Sequence, residues 1–284
     1  MKVARSRKEL DEALLPLRQE GIGFVPTMGY LHDGHVSLLR AAREDGPVVL
    51  SIFVNPRQFG VGEDLDRYPR DEAGDLAKAR EAGVDVVFLP GVEEVYPPGY
   101  QTEVHVRPLE EIHEGRFRPG HLTGVATVLA RLFGVIRPER AYFGQKDFQQ
   151  SVLVKRMVED LALGLKIFVC PTVREEDGLA MSSRNVYLLP RERAEAPRIR
   201  KTLLFADRLF RDGEREASRL VGRASAELSR IPGFRLQYLT LADSVTLAEK
   251  AFADTGDVLL TAGFFGSTRL IDNQVLGLDP EPPA

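Results

Sequence analysis

Apolar and polar positions alternate in blocks along the first 170 residues of the chain. Five short runs rich in β-branched and apolar residues predict strands, and the segments between them repeat their apolar positions with the period of a helix. The strand runs are 22–25, 48–54, 84–89, 140–143 and 166–170. The helical segments are 7–18, 36–43, 71–82, 123–135 and 146–161. Continuous apolar strands separated by helices are typical of a parallel sheet with helices on both faces.

The order of these elements predicts more than a fold class. Strands joined by helices form right-handed crossovers, and the ligands of such sheets bind beyond the carboxyl ends of the strands. We therefore predict a Rossmann-like, doubly wound α/β sheet with its site at that edge. The segment 101–106 alternates apolar and polar residues, which predicts a further strand at an edge of a sheet.

The pattern changes beyond residue 190. Two helices rich in arginine and glutamate end near Gly213 and Gly233, and strand runs follow at 235–242, 257–264 and 268–273. Helices followed by strands indicate an α+β unit. The sequence thus predicts two domains, a Rossmann-like domain over 1–175 and a smaller α+β C-terminal domain over 176–284.

The composition narrows the class of protein. A content of 43% hydrophobic and 28% charged residues is that of a globular chain, and a formal net charge of -4 argues against nucleic-acid binding driven by bulk charge. The apolar runs are shorter than the roughly 20 residues that cross a bilayer, and the N-terminal residues are charged. Cys170 is the single cysteine, which excludes an intramolecular disulfide. We expect a cytoplasmic protein without nucleic-acid or membrane partners.

One turn carries the strongest chemical signal. The strand run 22–25 leads through 26–35 into the helix at 36–43, an arrangement that presents backbone N–H groups and a helix N-terminus to phosphate. His32 and His35 are three residues apart, so their side chains can face one ligand. An isolated His-x-Gly-His is equally compatible with a solvated turn, and this segment alone does not decide between the two.

Seven short motifs occur one after another along the chain, each of them once. They are Pro26-Thr27-Met28-Gly29-x-Leu31-His32-x-Gly34-His35, Phe53-Val54-Asn55-Pro56-x-Gln58-Phe59, Tyr68-Pro69-Arg70, Arg118-Pro119-Gly120-His121, Phe143-Gly144-Gln145-Lys146-Asp147, Met181-Ser182-Ser183-Arg184-Asn185 and Arg269-Leu270-Ile271-Asp272-Asn273. Their order and spacing resemble the pantothenate synthetase family, the ATP-dependent pantoate–β-alanine ligases. The resemblance covers nearly the whole chain, whereas His-x-Gly-His alone would indicate only the nucleotidyltransferase superfamily that includes the class I aminoacyl-tRNA synthetases.

The resemblance implies a two-step amide synthesis. Pantoate carboxylate attacks the α-phosphorus of ATP to give pantoyl adenylate and pyrophosphate, and the amine of β-alanine then displaces AMP to give pantothenate. A carboxylate is ionised near neutral pH, so the first step needs alignment and charge neutralisation rather than a general base. The implied catalytic residues are His32, His35, Lys146 and Arg184.

The resemblance also assigns binding residues position by position. Those implied for ATP are Pro26, Thr27, Met28, Gly29, His32, His35, Gly144, Gln145, Lys146, Asp147, Val173, Met181, Ser182, Ser183 and Arg184. Those implied for pantoate are Gln58, Gln150 and Met28. Asn55, Arg118 and His121 match positions around the cavity. The first domain is then the one that binds ATP and pantoate, and the second is expected to cover the active site.

Magnesium and oligomeric state are further expectations. ATP chemistry of this type uses Mg²⁺ on phosphate oxygens with few protein ligands. Family members carry an acidic pair where this chain has Gly74 and Asp75, so Asp75 is the remaining candidate, acting through water. The resemblance to the family also implies a homodimer. The other expected partners are small molecules, namely ATP, pantoate and β-alanine.

Two other functions compete with the ligase. A different His-x-Gly-His adenylyltransferase would transfer AMP to a phosphate, but would leave Gln58, Gln150 and the motif at 269–273 without a role. The other is a regulatory protein that binds a nucleotide without catalysis. Such a protein would have no need for all of the residues suited to phosphate chemistry, which are present here: His32, His35, Lys146, Ser182, Ser183 and Arg184. The sequence therefore favours the ligase.

Overall fold

The computed structural model describes residues 1–279, and residues 280–284, the end of the second predicted domain, lie outside the described part. The chain forms two compact units. The first contains Met1–Gln145 and Gln149–Pro171, and the second contains Lys146–Phe148 and the chain from Thr172 onward. The chain leaves the first unit for the last time between Pro171 and Thr172, and the functional division at 175 stays a prediction.

The first unit contains a six-stranded parallel sheet with helices, which confirms the predicted doubly wound fold. Its strands are β1 (Lys2–Ala4), β2 (Gly23–Thr27), β3 (Val48–Ile52), β4 (Val86–Phe88), β5 (Arg140–Gly144) and β6 (Lys166–Cys170), in the spatial order β1-β4-β3-β2-β5-β6. Its helices are α1 (Arg7–Leu14), α2 (Asp33–Glu44), α3 (Glu72–Glu81), α4 (Val92–Val95), α5 (His113–Phe117), α6 (His121–Ile136) and α7 (Phe148–Asp160).

The strand order places a switch point beside β2. From β2 the chain moves outward to β3 and β4 on one side, and then returns to add β5 and β6 on the other. Connections that leave in opposite directions open a crevice at the carboxyl ends of the two strands involved. These ends are Thr27 of β2 and Gly144 of β5, which begin the loops with the histidine motif and the Phe143–Asp147 motif.

Two local predictions need correction, and one strand was not predicted. The segment 101–106 is not a strand, because the N–H groups of Val104 and Val106 donate to the side chains of Thr127 (3.0 Å) and Glu110 (2.6 Å) rather than to a neighbouring strand. Strand β1 was missed because three residues are too short for a periodic signal. The first helix ends at Leu14 and continues as a 3₁₀ turn, since Pro16 has no N–H for a helical bond.

The second unit is α+β, as predicted. Its helices are α8 (Pro190–Glu195), α9 (Arg198–Arg211) and α10 (Ala217–Leu228), and its strands β7 (Phe234–Ala242), β8 (Val258–Phe265) and β9 (Thr268–Val275) form an antiparallel sheet in the order β7-β8-β9. Leu203, Phe210 and Leu220 of the helices pack with Leu241 and Leu259 of the sheet in one apolar core. Burial of this face holds the helices on the sheet.

Helix α6 makes a close backbone contact with the loop after β3. A Cβ atom on Gly124 would lie 2.3 Å from the Arg57 carbonyl oxygen and 2.7 Å from the Gln58 nitrogen. The Gly124 carbonyl accepts a hydrogen bond from the Asn55 side-chain amide at 3.1 Å. Glycine at this position therefore allows the loop to pack directly on the helix.

Two glycines of α6 allow a matched test of this contact. We expect Gly124→Ala to lower the free energy of unfolding by about 1–3 kcal/mol, because the added methyl group forces the loop off the helix. Gly134 lies on the exposed side of the same helix, and a Cβ atom there would have no neighbour within 4 Å, so Gly134→Ala should stabilise by about 0.5–1 kcal/mol. Urea unfolding measures both, and shifts of the same sign would contradict the proposed contact.

Candidate active site

The turn after β2 has an unusual backbone that side chains hold in place. Gly29 and Tyr30 both have positive φ angles, 83° and 53°. The Thr27 hydroxyl donates to the Ser51 carbonyl at 2.7 Å and accepts from the Gly29 N–H at 3.2 Å. This fixes the path of the chain from the strand to the start of α2.

The two histidines of the motif cap α2 through their ring nitrogens. His32 is the N-cap, and its Nδ1 accepts from the Gly34 N–H at 3.1 Å; His35 Nδ1 accepts from the His32 N–H at 3.3 Å. The ring centroids are 4.0 Å apart. Because a nitrogen that accepts carries no proton, each neutral ring has its proton on Nε2. The structure thus brings both rings together in the tautomer that donates from Nε2.

Two of the three residues predicted for pantoate, Gln58 and Met28, are in contact beside the carboxyl end of β3. The Gln58 side chain is 9% exposed, its Nε2 lies 3.1 Å from the Met28 sulfur, and its Oε1 accepts from the Asn55 amide at 3.0 Å. Asn55 is in turn held by the Tyr96 hydroxyl, which donates to its Oδ1 at 2.9 Å. Asn55 therefore orients Gln58 from behind, and Met28 lies beside it.

A network of charged groups holds the backbone of the same loop. The Arg118 guanidinium donates to both carboxylate oxygens of Glu63, at 2.7 and 2.6 Å, and its Nη1 lies 2.9 Å from His121 Nε2. His121 Nδ1 donates to the Gln58 carbonyl at 2.8 Å. The sequence identified Arg118 and His121 but missed Glu63, because no motif contains it and only folding brings it to Arg118.

The network requires a neutral His121. One ring nitrogen accepts from Arg118 and the other donates to Gln58, an arrangement open only to the uncharged ring. Burial lowers the pKa of His121 to about 4, and the neighbouring Arg118 charge acts in the same direction. Burial alone would raise the pKa of Glu63, but the hydrogen bonds and charge of Arg118 outweigh it and lower the pKa to about 2. Glu63 is therefore the counter-charge of Arg118.

Two neighbouring glutamines of α7 differ in what they contact. Gln149 is 3% exposed; it accepts from the Glu114 N–H at 2.9 Å and donates to the Leu109 and Ile112 carbonyls at 2.7 and 3.0 Å. It anchors the segment before α6. Gln150 follows it in the first turn of the helix and is half-buried. Gln149 is committed to backbone groups, so Gln150 remains the candidate for a ligand.

The other residues predicted for the nucleotide lie at the end of β5, in the 3₁₀ turn that follows it and in loops of the second unit. Gly144 ends β5, and Gln145, Lys146 and Asp147 form a 3₁₀ turn in which Lys146 Nζ lies 3.6 Å from Asp147 Oδ1. Within the second unit, Asn273 Nδ2 donates to the Lys146 carbonyl at 3.0 Å. The motif at 269–273 thus contributes directly to the position of the Lys146 backbone.

The Met-Ser-Ser-Arg motif is built on a short backbone pairing. The Met181 N–H donates to the Val173 carbonyl at 3.0 Å, and a bridge joins Arg174 to Ala180. Ser182 caps the following 3₁₀ turn Ser183–Tyr187, with its Oγ accepting from the Arg184 N–H at 3.2 Å. Two hydrogen bonds of 2.8 and 2.9 Å from the Arg174 guanidinium to the buried Asp272 carboxylate brace this loop against β9.

Asp75 is oriented toward backbone and not toward a metal site. It is 2% exposed, and its two carboxylate oxygens accept from the N–H groups of Tyr30 at 2.8 Å and Leu31 at 2.6 Å. Among residues 1–279, no group of three or more His, Cys, Asp or Glu side chains is placed to hold a metal ion. Both carboxylate oxygens of Asp75 already accept from backbone N–H groups, which does not fit a role for Asp75 as a direct magnesium ligand.

Comparisons with known proteins identify the family to which the chain is similar. The family model for pantoate-beta-alanine ligase matches residues 2–275. A pantothenate synthetase of Aquifex aeolicus is 50% identical over 270 residues, which is 94% of this chain and 95% of the relative. One of Thermus thermophilus is 50% identical over 272 residues, 95% of this chain and 98% of the relative.

Two solved structures are similar to this chain over nearly their whole length. The crystal structure of pantothenate synthetase from Thermus thermophilus matches with a TM-score of 0.93 and 48% identity over 97% of this chain and 99% of that one. The pantoate-beta-alanine ligase of Francisella tularensis, solved with beta-gamma ATP and beta-alanine, matches with a TM-score of 0.83 and 33% identity over 99% and 100%. Among residues 1–279, no helix combines the length and hydrophobicity that a bilayer crossing requires.

A match of this extent, in the family model and in relatives that share half of their residues with the chain, leads to one conclusion: the chain belongs to the pantoate-beta-alanine ligase family.

Proposed function

We propose that this chain condenses pantoate with β-alanine in two steps at the cost of one ATP, through a pantoyl-adenylate intermediate, with release of pyrophosphate and then AMP. One observation carries this proposal. The Nε2 atoms of His32 and His35 are set to donate, and Met28, earlier in the same turn, has its sulfur 3.1 Å from Gln58 Nε2. Donors suited to phosphate and an amide suited to a hydroxy acid thus follow the carboxyl ends of two adjacent strands, β2 and β3, which supports the proposal.

In the first step, the pantoate carboxylate attacks the α-phosphorus and pyrophosphate leaves. The attacking carboxylate needs no base, so the protein's task is to hold the two reactants in line and to stabilise the charge on the phosphoryl oxygens. We assign this to the Nε2–H groups of His32 and His35, with the cations of Lys146 and Arg184. Pro26, Thr27 and Gly29 would contribute the shape and backbone of the turn.

The remaining nucleotide contacts follow from the positions of the loops. Gly144 and Gln145 lie at the end of β5, at the switch point where α/β sheets bind nucleotides. Asp147 would accept from the ribose hydroxyls. The paired backbone of Val173 and Met181 and the hydroxyls of Ser182 and Ser183 belong to the second unit and would bind the adenylate and phosphate groups.

Neutral groups suit the pantoate side of the site. Amides such as Gln58 and Gln150 can bind hydroxyl and carboxylate groups without adding a charge that competes for the phosphates. Arg118 is a cation here, but Glu63 neutralises it through two hydrogen bonds. Arg118 and His121 would therefore act by holding the Gln58 backbone, with Asn55 holding its side chain.

In the second step, the amine of β-alanine attacks the acyl carbon of the adenylate. The new C–N bond replaces the C–O bond to AMP, and the amine loses a proton as the amide forms. Exclusion of water from the adenylate favours this aminolysis over hydrolysis.

Magnesium, dimerisation and location complete the proposal. Mg²⁺ is expected to arrive with ATP, held by phosphate oxygens and water, and to neutralise phosphate charge. A homodimer and a cytoplasmic location are proposed from family membership. Residues 1–175 would form the domain that binds ATP and pantoate, and residues 176–284 the smaller domain that completes the active site.

The activity is tested with purified protein, ATP, Mg²⁺, D-pantoate and β-alanine. AMP and pantothenate should form in equal amounts and only when both organic substrates are present. AMP transfer to a phosphate acceptor would instead support the competing adenylyltransferase, and nucleotide binding without turnover would support the regulatory alternative.

The phosphate-binding roles predict a block in the first step. His35→Ala and Lys146→Ala should each slow pantoyl-adenylate formation by about 100-fold or more, because a lost donor to transition-state charge costs that much. Single-turnover measurement with quenched-flow separation of the adenylate provides the rate. His105→Ala is the control, since that ring is exposed and contacts Glu110 instead. A near wild-type rate in either variant would remove that residue from the mechanism.

The role proposed for the Gln58 amide predicts that its loss changes the affinity for pantoate and not the affinity for ATP. Gln58→Ala should weaken pantoate binding by about 10-fold or more, as expected when a buried polar contact to a ligand is lost, while the affinity for ATP changes little. Titration calorimetry with each substrate measures this. Gln101→Ala, an exposed glutamine, serves as the control. Equal losses for ATP and pantoate would show that the substitution damages the turn and not the pantoate contact.

The neutral His121 predicts a pH dependence of stability. Its pKa is about 4 in the folded chain against an ordinary 6.5, so the unfolded chain binds more protons between these values. The free energy of unfolding should therefore fall as the pH drops from 6.5 to 4, by about 3 kcal/mol at most from this residue.

His121→Gln removes this titration. Urea unfolding of both proteins at pH 7, 5.5 and 4 should give a steeper loss for the wild type than for the variant. The contribution of Glu63 is lost only between its ordinary 4.5 and about 2, and so lies mostly below this window. Parallel curves for the two proteins would rule out a neutral, buried His121.

A further inference from the structure

Two side chains of helix α3 form hydrogen bonds with the backbone of the turn that leads to the histidines. Asp75 accepts from the Tyr30 N–H at 2.8 Å and the Leu31 N–H at 2.6 Å, and one helical turn later Lys78 Nζ donates to the Leu31 carbonyl at 2.5 Å. A carboxylate and an ammonium group of one helix thus bind the donors and the acceptor of the same two residues. We call Asp75 and Lys78 the α3 clamp.

The turn needs an outside partner to hold its shape. Tyr30 has a φ of 53°, a conformation that a residue with a side chain rarely adopts unless its surroundings impose it. The two N–H groups lie before the first turn of α2, where the helix supplies no acceptor. Hydrogen bonds from backbone N–H groups to a carboxylate are among the stronger ones in proteins, so the clamp can impose this conformation.

The fit between the turn and the carboxylate is close. A Cβ atom on Gly29 would lie 2.9 Å from Asp75 Oδ2, so the carboxylate lies directly against the glycine. The Leu31 side chain is 2% exposed and packs in the sheet core. The backbone of residues 29–31 is therefore fixed from the helix side by the clamp and from the core side by Leu31.

The positions of the two histidine rings depend on the position of Leu31, the last residue of this segment. His32 follows Leu31 immediately, and its N–H is the donor to His35 Nδ1 at 3.3 Å. A shift of Leu31 would move that N–H, weaken the bond that keeps Nδ1 of His35 unprotonated, and change the direction in which both rings point. The clamp is charge-balanced, so it orients the turn without adding net negative charge near a triphosphate.

We propose that Asp75, assisted by Lys78, is a positioning residue that fixes the tautomer and direction of the His32 and His35 rings, and that it is not a magnesium ligand. The proposal rests on the assignment of these histidines to ATP phosphate under the proposed function. It assigns the acidic residue of α3 a role through the backbone, where the sequence had suggested a role through water on a metal.

Asp75→Asn tests this with little change of shape. The amide presents one acceptor where the carboxylate had two, so one of the two N–H groups loses its partner. Asp71→Asn is the matched control, because it removes the same charge from the same helix. Asp71 is exposed and caps α3 by accepting from the Gly74 N–H at 3.0 Å, which asparagine can also do.

The first measurement does not involve activity. Long-range proton–nitrogen NMR correlations of the imidazole rings distinguish a protonated Nε2 from a protonated Nδ1. Wild type and Asp71→Asn should show the Nε2–H form for both His32 and His35, and Asp75→Asn should show a mixture for at least His35. Unchanged spectra in Asp75→Asn would overturn the proposal, whether or not the enzyme makes pantothenate.

The second measurement separates positioning from metal binding. Asp75→Asn should slow single-turnover adenylate formation by at least 10-fold, while the Mg²⁺ concentration for half-maximal rate stays within twofold of wild type. A tenfold rise in that concentration with unchanged ring spectra would identify a metal ligand and refute the clamp. Should Asp75→Asn fail to fold, Lys78→Met removes the bond to the Leu31 carbonyl and the positive charge near Asp75, and unchanged ring spectra in this variant would likewise overturn the proposal. Failure of the wild type to form adenylate would instead refute the proposed function.

Discussion

The turn between β2 and α2 contains backbone donors that no regular element satisfies, and much of the first unit's site serves to satisfy them. Thr27 accepts from Gly29, Asp75 from Tyr30 and Leu31, and the two histidine rings from the groups that begin α2. A buried N–H group without a partner is costly, so each acceptor is required by the fold. The same requirement fixes the histidine tautomers, which links stability of the turn to its chemistry.

Charged side chains around this turn in the first unit have oppositely charged neighbours. Glu63 neutralises Arg118, Asp75 is balanced by Lys78, and the groups beside Met28 are the uncharged amides of Asn55 and Gln58. Because each of these charges has an opposite charge beside it, the group adds little net charge around the amides. These paired charges act on the backbone, and under the proposed function phosphate binding is assigned to the histidines, Lys146 and Arg184.

The sequence predicted the larger features well because they are local or periodic. Continuous apolar runs identified β2–β6, and helical spacing identified the longer helices, since both follow from the repeat of one chain segment. Alternation at 101–106 was misleading, because the N–H groups of Val104 and Val106 have side-chain acceptors in place of a neighbouring strand. The adjacent Gln149 and Gln150 look alike in sequence, and only the packing of α7 separates an anchor from a candidate ligand residue.

By itself, the sequence determined the strands β2–β6, the longer helices, the two-part fold class and the motifs that place the chain in its family. Tertiary structure decided which side chains orient those motifs. Asp75 and Leu31 are separated by 44 positions, and Glu63 and Arg118 by 55, and no pattern along the chain relates them. Periodicity reports on neighbours within one element, whereas a hydrogen bond between elements depends on how the sheet and its helices pack, and that geometry exists only in the folded chain.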